Sequence, residues 1–229
     1  MKAFLAMGAA VATLLAASAS NATIVTSISG STLAGVGFKG AVAGSTYVTF
    51  EDVAVGTGGS FISGIASFFG DGVVESGSSA NKFAAPAGDT THYLATGFTK
   101  GGLNVETATF SKEFTKFGLY WGSIDAYNTI IFKDGATTVF TLTGNAVPLA
   151  LGNGNQHSDL SNKFVNFDFQ GKTFDQVVFE STRPSFEVDN LAVAGAIPEL
   201  STWAMMLAGF GLVGLQIRRR KSYAANVVA

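Results

Sequence analysis

The chain has 229 residues, 47% of them hydrophobic and 13% charged, which suits one domain with a sizeable core plus short targeting segments. It contains no cysteine, which excludes disulfides, thiolate metal sites and a cysteine nucleophile. Five of its 14 basic residues lie in the end segments, so the middle of the chain, 23–197, carries a net charge of about −6. This charge disfavours nucleic acid as a partner, because phosphate neutralisation needs clustered Lys and Arg.

The N-terminal segment, residues 1–22, has the three-part pattern of a secretory signal peptide. Lys2 precedes an apolar run over Ala3–Ala17, and small residues then offer cleavage sites after Ala19 or after Ala22. The alternative is a buried N-terminal helix. The signal-peptide interpretation is favoured because the small residues stand where a signal peptidase cuts.

The body, residues 23–195, alternates apolar and polar residues with period two in several segments separated by Gly-rich turns. This pattern predicts an all-β fold, a jelly-roll-like antiparallel β-sandwich. No stretch of the body keeps a helical period over three turns. The predicted strands are 46–53, 103–110, 114–122, 128–135, 163–171, 174–181 and 185–195.

Two patterns that are common in enzymes are weak evidence for a catalytic site in this chain. The glycines of "GVGFKG" (Gly35, Gly37 and Gly40) match a dinucleotide fingerprint, but no clear helix follows them, so a Gly-rich loop is the better interpretation. His92 and His157 are the only histidines, and neither belongs to a zinc-binding or GxSxG pattern. We therefore assign no catalytic residue.

The carboxylates are better candidates for a site. Glu51 and Asp52 end an early predicted strand, Glu187 and Asp189 lie two apart on the last one, and first and last strands of sandwiches often meet. Glu51 and Asp189, with backbone carbonyls, are then predicted to form a Ca²⁺ site, because Ca²⁺ prefers clustered oxygen ligands. Two alternatives remain open: a solvated strand face, and a glycosidase pair of carboxylates.

A second candidate site combines aromatic rings with an amide, as carbohydrate recognition does. Trp121 alternates with Phe117 and is expected in the core. Tyr120 and Tyr127 are expected to be freer, and together with Asn128 they are the predicted carbohydrate ligands.

The tail, residues 196–221, is a short motif followed by an apolar stretch and positive charge. Trp203–Ile217 is apolar except for one Gln and spans about 22 Å as a helix, which is short for a bilayer core. Arg218, Arg219 and Arg220 then predict a cytoplasmic stop, with residues 222–229 as a cytoplasmic trailer. This pattern predicts one transmembrane helix that serves as a removable sorting signal. A permanent single-pass anchor is the alternative.

The order of these tail residues is similar to a known sorting signal. Pro198 and Glu199, then Trp203 and the apolar helix, then Arg218–Arg220, resemble the PEP-CTERM signal in its PEPxxWAMM form, with Leu200 in place of the second Pro. The resemblance implies processing by an exosortase. It also implies transient anchoring in the inner membrane and delivery to the cell surface or extracellular polysaccharide of a Gram-negative bacterium.

The body also resembles exosortase-dependent surface proteins, in segments 117–128, 154–156, 164–167 and 186–191. With the tail, the resemblance covers about half of the chain, and it implies no enzymatic activity. We therefore expect an exported, non-catalytic structural or adhesive protein whose partners are an exosortase and an exopolysaccharide or envelope glycan. The alternative is a secreted carbohydrate-active jelly-roll enzyme that uses paired carboxylates.

Overall fold

A computed structural model describes residues 24–28, 31–33, 37–39, 42–97, 102–196, 205–214 and 216, with only the backbone given for 31–33 and 37–39. The signal peptide predicted over 1–22 lies outside these residues. So do the sorting-signal residues Pro198, Glu199, Trp203 and Arg218–Arg220.

The all-β prediction is confirmed. Seven of the strands correspond to the seven predicted from alternation, although the first of those ends at Val48 and so stops short of Glu51. The strands are β1 (Val25–Ile28), β2 (Ser31–Leu33), β3 (Gly37–Lys39), β4 (Thr46–Val48), β5 (Gly58–Ser63), β6 (Ala66–Glu75), β7 (Tyr93–Thr96), β8 (Asn104–Phe114), β9 (Lys116–Gly122), β10 (Asn128–Asp134), β11 (Thr137–Thr143), β12 (Lys163–Asp168), β13 (Phe174–Ser181) and β14 (Phe186–Ala194).

Twelve of these strands form one antiparallel sheet, and β2 and β3 form a separate pair. The main order is β1-β12-β9-β14-β7-β6-β8-β13-β10-β11, with β4 beside β14 and β5 beside β6. The long strand β6 joins the two halves, because Ala66–Gly70 pairs with β8 and Val73–Glu75 pairs with β7. The early strand β4 therefore pairs with the last strand, as the carboxylate hypothesis required.

The sheet curls so that its two halves enclose a core rich in phenylalanine. The ring of Phe117 on β9 packs edge-on against that of Phe132 on β10, with 5.2 Å between the ring centroids. The ring centroids of Phe132 and Phe167 on β12 lie 4.7 Å apart. Trp121 stacks on Phe186 at 4.6 Å and is fully buried, which confirms its predicted core position. These contacts between strands far apart in the sheet give a sandwich-like arrangement.

The outer face of β9 and β14 is also covered. The connection between β6 and β7, residues 76–92, folds across it, and a Cβ added at Gly122 would meet Pro86 at 2.8 Å. All nine residues of β14 are buried as a result. A layer of polar side chains is thus enclosed between the sheet and this connection, which we call the 76–92 loop.

Beyond the β domain, the backbone is helical over 205–214, where the side chains are exposed. Within the described part of the chain, no helix combines the length and apolarity needed to cross a membrane.

Candidate functional site

A cleft of about 580 Å³ lies at one end of the sandwich, where irregular segments meet. Its walls come from residues 78–84 of the 76–92 loop, from 123–127 after β9, from 153–156, and from 182–187 between β13 and β14. Its rim carries exposed cationic and amide side chains, and its floor is buried. The rim side chains are Asn81, Lys82, Asn153, Gln156 and Arg183.

Tyr127 is the aromatic wall of the cleft. Its hydroxyl lies 2.6 Å from Asp125 Oδ2 and 2.8 Å from the Pro184 carbonyl oxygen, so its proton is held between two acceptors. The Arg183 guanidinium lies over the ring, 5.7 Å from the centroid. Burial and then the Asp125 carboxylate raise the pKa of Tyr127 above its ordinary value, so the hydroxyl stays protonated at neutral pH.

Asp125 is placed by tight backbone packing. A Cβ added at Gly154 would lie 2.5 Å from Asp125 Oδ1, and Gly154 adopts a φ of +66°, so glycine is needed there on both counts. Burial raises the pKa of Asp125, while the Tyr127 hydrogen bond and the Arg183 charge oppose that rise. Asp125, Tyr127 and Arg183 thus form one charged and hydrogen-bonded group on the cleft wall.

Glu187 forms the floor, and both of its carboxylate oxygens are satisfied. Oε1 accepts hydrogen bonds from the Ala84 N–H at 2.9 Å and from Ser185 Oγ. Oε2 accepts one from Ser123 Oγ at 2.8 Å. Burial raises the pKa of Glu187 to about 7. Glu187 therefore ties three cleft segments together.

Asn162 braces the cleft from behind. Its Oδ1 accepts the N–H groups of Ala87 at 3.0 Å and Ser123 at 2.9 Å. Its Nδ2 donates to the carbonyls of Asn155 and Ser158. A single buried amide thus fixes the loops on both sides, so the cleft is largely pre-formed.

Of the three predicted carbohydrate ligands, only Tyr127 lines the cleft. Asn128 is fully buried and holds Ser185 and Ser181, so it supports the wall from inside. The expectation that Tyr120 is freer than Trp121 is wrong. Tyr120 is fully buried and donates to the Ala87 carbonyl at 2.6 Å, because the 76–92 loop covers the outer face of β9.

The two predicted calcium residues lie outside the cleft lining, and only Asp189 is buried. Glu51 is exposed and accepts the His92 N–H at 2.7 Å, whereas Asp189 is fully buried on β14. Asp89 of the 76–92 loop, which alternation did not single out, is in hydrogen-bonding contact with Asp189. Burial and then the Asp89 charge raise the pKa of Asp189 well above its ordinary range. Across the described ranges, no cluster of three or more His, Cys, Asp or Glu side chains is arranged to hold a metal ion.

The two histidines have local roles. His92 Nδ1 lies 3.0 Å from the Val53 carbonyl, and the His157 N–H donates to Asn155 Oδ1 at 3.0 Å. Neither lines the cleft.

Comparison of the chain with protein-family models, with curated proteins and with solved structures returned no match. The geometry of the cleft and the sequence therefore carry the functional argument.

Proposed function

We propose that this is an exported, non-catalytic surface protein that binds carbohydrate in the cell envelope or extracellular polysaccharide through the cleft around Tyr127. The observation that carries the proposal is the composition of the cleft. One aromatic wall is combined with five exposed amide or cationic groups on the rim, over a floor that is held rigid.

This composition suits a polyhydroxylated ligand. Sugars present apolar ring faces, which pack against aromatic rings, and hydroxyls, which exchange hydrogen bonds with amides and charged groups. The amides of Asn81 and Gln156 offer both donors and acceptors, whereas Asn153 Oδ1 already accepts hydrogen bonds from the Asn155 N–H and from Ser161 Oγ. The volume of about 580 Å³ is within the range of small-molecule clefts and accommodates one or two sugar rings.

The export part of the proposal is supported by the ends of the sequence. A signal peptide over 1–22 and a PEP-CTERM-like tail with Pro198, Glu199 and Trp203 place the β domain outside the cytoplasm. The apolar helix and Arg218–Arg220 then hold the chain in the inner membrane until an exosortase releases it. The finer fold in this proposal is a jelly roll, supported by the pairing of β4 with β14 and by the sandwich-like core.

The binding test uses polysaccharide from the producing cell and a matched pair of lysine variants. Lys82 lies on the cleft rim and Lys112 is exposed on β8 away from the cleft. We expect Lys82→Ala to weaken binding about 3–10-fold and Lys112→Ala to leave it unchanged. Equal effects of the two, or no binding by the wild-type chain, would count against the cleft.

The sorting test uses Glu199→Ala. We expect this variant to accumulate as a full-length, membrane-retained form, since the motif is altered while the apolar helix is kept. Processing at the wild-type level in the variant would remove the exosortase assignment.

A second candidate function is glycoside hydrolysis, favoured by the two carboxyl groups in the cleft, Asp125 and Glu187. The raised pKa of Glu187, about 7, is what a general acid requires. However, both Glu187 oxygens are occupied by hydrogen bonds, and its side chain is only 2% exposed, so the geometry favours binding. Turnover of labelled glycans that disappears in Glu187→Gln, with binding intact, would establish hydrolysis instead.

A further inference from the structure

The cleft carries the only arginine of the β domain. Arg183 is the single arginine among residues 1–217, and Lys82 of the 76–92 loop lines the same cleft. Both side chains are exposed. The body of the chain has a net charge of about −6, so this cleft places two cations together on a domain that otherwise repels anions.

Neither cation is held by an acid at close range. Among the described residues, the one ion pair lies on β9 and β12, outside the cleft lining. The Arg183 charge opposes the rise in the pKa of Asp125 without forming an ion pair with it. The Lys82 charge acts on Glu75 in the same way. The guanidinium and the ammonium therefore remain available to an acceptor that a ligand brings.

The acceptors of the cleft, in contrast, are largely occupied from within. Both oxygens of Glu187 accept hydrogen bonds, and Asp125 Oδ2 accepts the Tyr127 hydroxyl at 2.6 Å. Asn153 Oδ1 accepts the Ser161 hydroxyl at 2.7 Å. The cleft thus offers charged donors to a ligand and uses its acceptors to hold its own walls. A ligand rich in acceptors is the complement of this arrangement.

The position of Arg183 determines what a ligand meets at the aromatic wall. Its guanidinium lies over the Tyr127 ring, 5.7 Å from the centroid. The N–H groups of a guanidinium form a planar fork that matches the two oxygens of a carboxylate. A sugar that packs near this wall therefore meets carboxylate-binding donors beside the ring.

We infer, building on the proposed carbohydrate binding, that the cleft selects an acidic glycan whose sugar rings carry carboxylate groups. Arg183 binds the carboxylate, and Lys82 supplies a second positive contact. A uronic acid carries its carboxylate at the edge of the sugar ring, so the ring can pack near Tyr127 while the carboxylate meets the guanidinium. A neutral sugar offers no anion to either cation and makes weaker hydrogen bonds with them.

The two carboxyl groups of the cleft do not cancel this preference. Glu187 forms the floor and is only 2% exposed, and all of its hydrogen bonds are to the protein itself. Asp125 is half-buried and hydrogen-bonded to Tyr127. Because the cations lie on the exposed rim, an entering anion meets positive charge first.

The test compares fractions of the polysaccharide made by the producing cell. Anion exchange separates an acidic from a neutral fraction, and part of the acidic fraction is treated to reduce its carboxylates to alcohols. Binding to the purified full chain is measured by calorimetric titration. We expect the acidic fraction to bind at least about 10-fold more tightly than its reduced form. Its affinity should fall as salt rises from about 0.05 M to about 0.5 M.

Matched variants assign the preference to the two cations. Arg183→Gln should reduce the preference for the acidic over the reduced fraction about 10-fold, and Lys82→Gln should reduce it about 3-fold. Neither change should alter binding of the reduced fraction, which carries no charge for these side chains. The exposed Lys112→Gln on β8 should keep the wild-type preference. Since both cleft side chains are exposed, we expect both variants to fold, and their melting temperatures check this.

The outcomes separate this inference from the proposed function. Equal affinity for the acidic and reduced fractions, tighter binding of the neutral fraction, or an unchanged preference in Arg183→Gln would overturn the selection of carboxylated sugars and leave carbohydrate binding in place. Binding of no fraction by the wild-type chain would remove the proposed function itself, and this inference with it.

Discussion

Glu187 and Asp189 lie two residues apart on β14 and are equally buried, but their surroundings differ. Glu187 accepts three hydrogen bonds from three segments, whereas neither oxygen of Asp189 has a well-formed one. Glu106 on β8 is intermediate, since Oε2 accepts the Gly72 N–H at 2.7 Å and Oε1 has no partner. The comparison indicates that a buried carboxylate surrounded by donors ties segments together, whereas one with few donors is favoured in its protonated form.

The largest expected effect comes from removing the Glu187 carboxylate, because both of its oxygens accept hydrogen bonds. Glu187→Ala leaves the Ala84 N–H and the hydroxyls of Ser123 and Ser185 buried without an acceptor. We expect a loss of about 3–5 kcal/mol in the free energy of unfolding, measured by urea denaturation. The exposed Glu113→Ala should change it by less than about 0.5 kcal/mol. A loss at Glu187 below about 1 kcal/mol would mean that the three segments do not depend on it.

Glu106, which has a hydrogen bond to only one of its two carboxylate oxygens, should make the free energy of unfolding depend on pH. Burial raises its pKa from 4.5 to about 7, so the folded state holds the proton more tightly than the unfolded state. The free energy of unfolding then falls as pH rises from about 4.5 to about 7, by on the order of 3 kcal/mol from this residue. Glu106→Gln should remove that part of the slope in denaturation measured at pH 5 and pH 8. Parallel pH profiles of variant and wild type would contradict the assignment.

Replacing Asp189 should change the free energy of unfolding in the opposite direction to replacing Glu187. Asp189→Asn replaces a side chain whose charged form is disfavoured by burial and by Asp89, and its Nδ2 can donate to Asp89 Oδ2 without the need for a bound proton. We expect the variant to be more stable than the wild type by about 1–2 kcal/mol at neutral pH. A variant that is less stable than the wild type would contradict this, and would mean that the Asp189 carboxyl stabilises the fold.

The smallest expected effect is on ligand binding. Tyr127→Phe keeps the aromatic wall but removes the hydroxyl held by Asp125 and Pro184. We expect glycan affinity to fall about 3–10-fold in calorimetric titration, because the cleft wall loses the hydroxyl that joins Asp125 to Pro184, and the melting temperature to fall by only about 2–4 °C. An unchanged affinity would place the ligand elsewhere.

Alternation predicted the strands that have a polar face, such as β8, β10 and β12. It did not predict β6, because Phe68 and Phe69 are adjacent and Gly70 and Gly72 interrupt the pattern. Gly70 is needed there because a Cβ would lie 2.1 Å from the Val105 carbonyl oxygen. Local sequence cannot report such a contact between strands 35 residues apart.

The sites were predicted less completely than the strands, for a related reason. That Glu51 lies near enough for its charge to raise the pKa of Asp189 followed from strand order, but Asp89 lies in an irregular loop with no periodic signal. The alternation along β9 predicts that Tyr120 faces outward. It is buried only because the 76–92 loop folds back over it. The Arg183 partner of Tyr127 is likewise set by tertiary folding.

The most direct test of the proposed function is the intact mass of the protein recovered from the extracellular polysaccharide of its native host. The account predicts a form that starts after Ala19 or Ala22 and ends near Pro198–Ser201, bound to the polysaccharide. Protein found only in the membrane fraction, and still carrying residues 218–229, would contradict it.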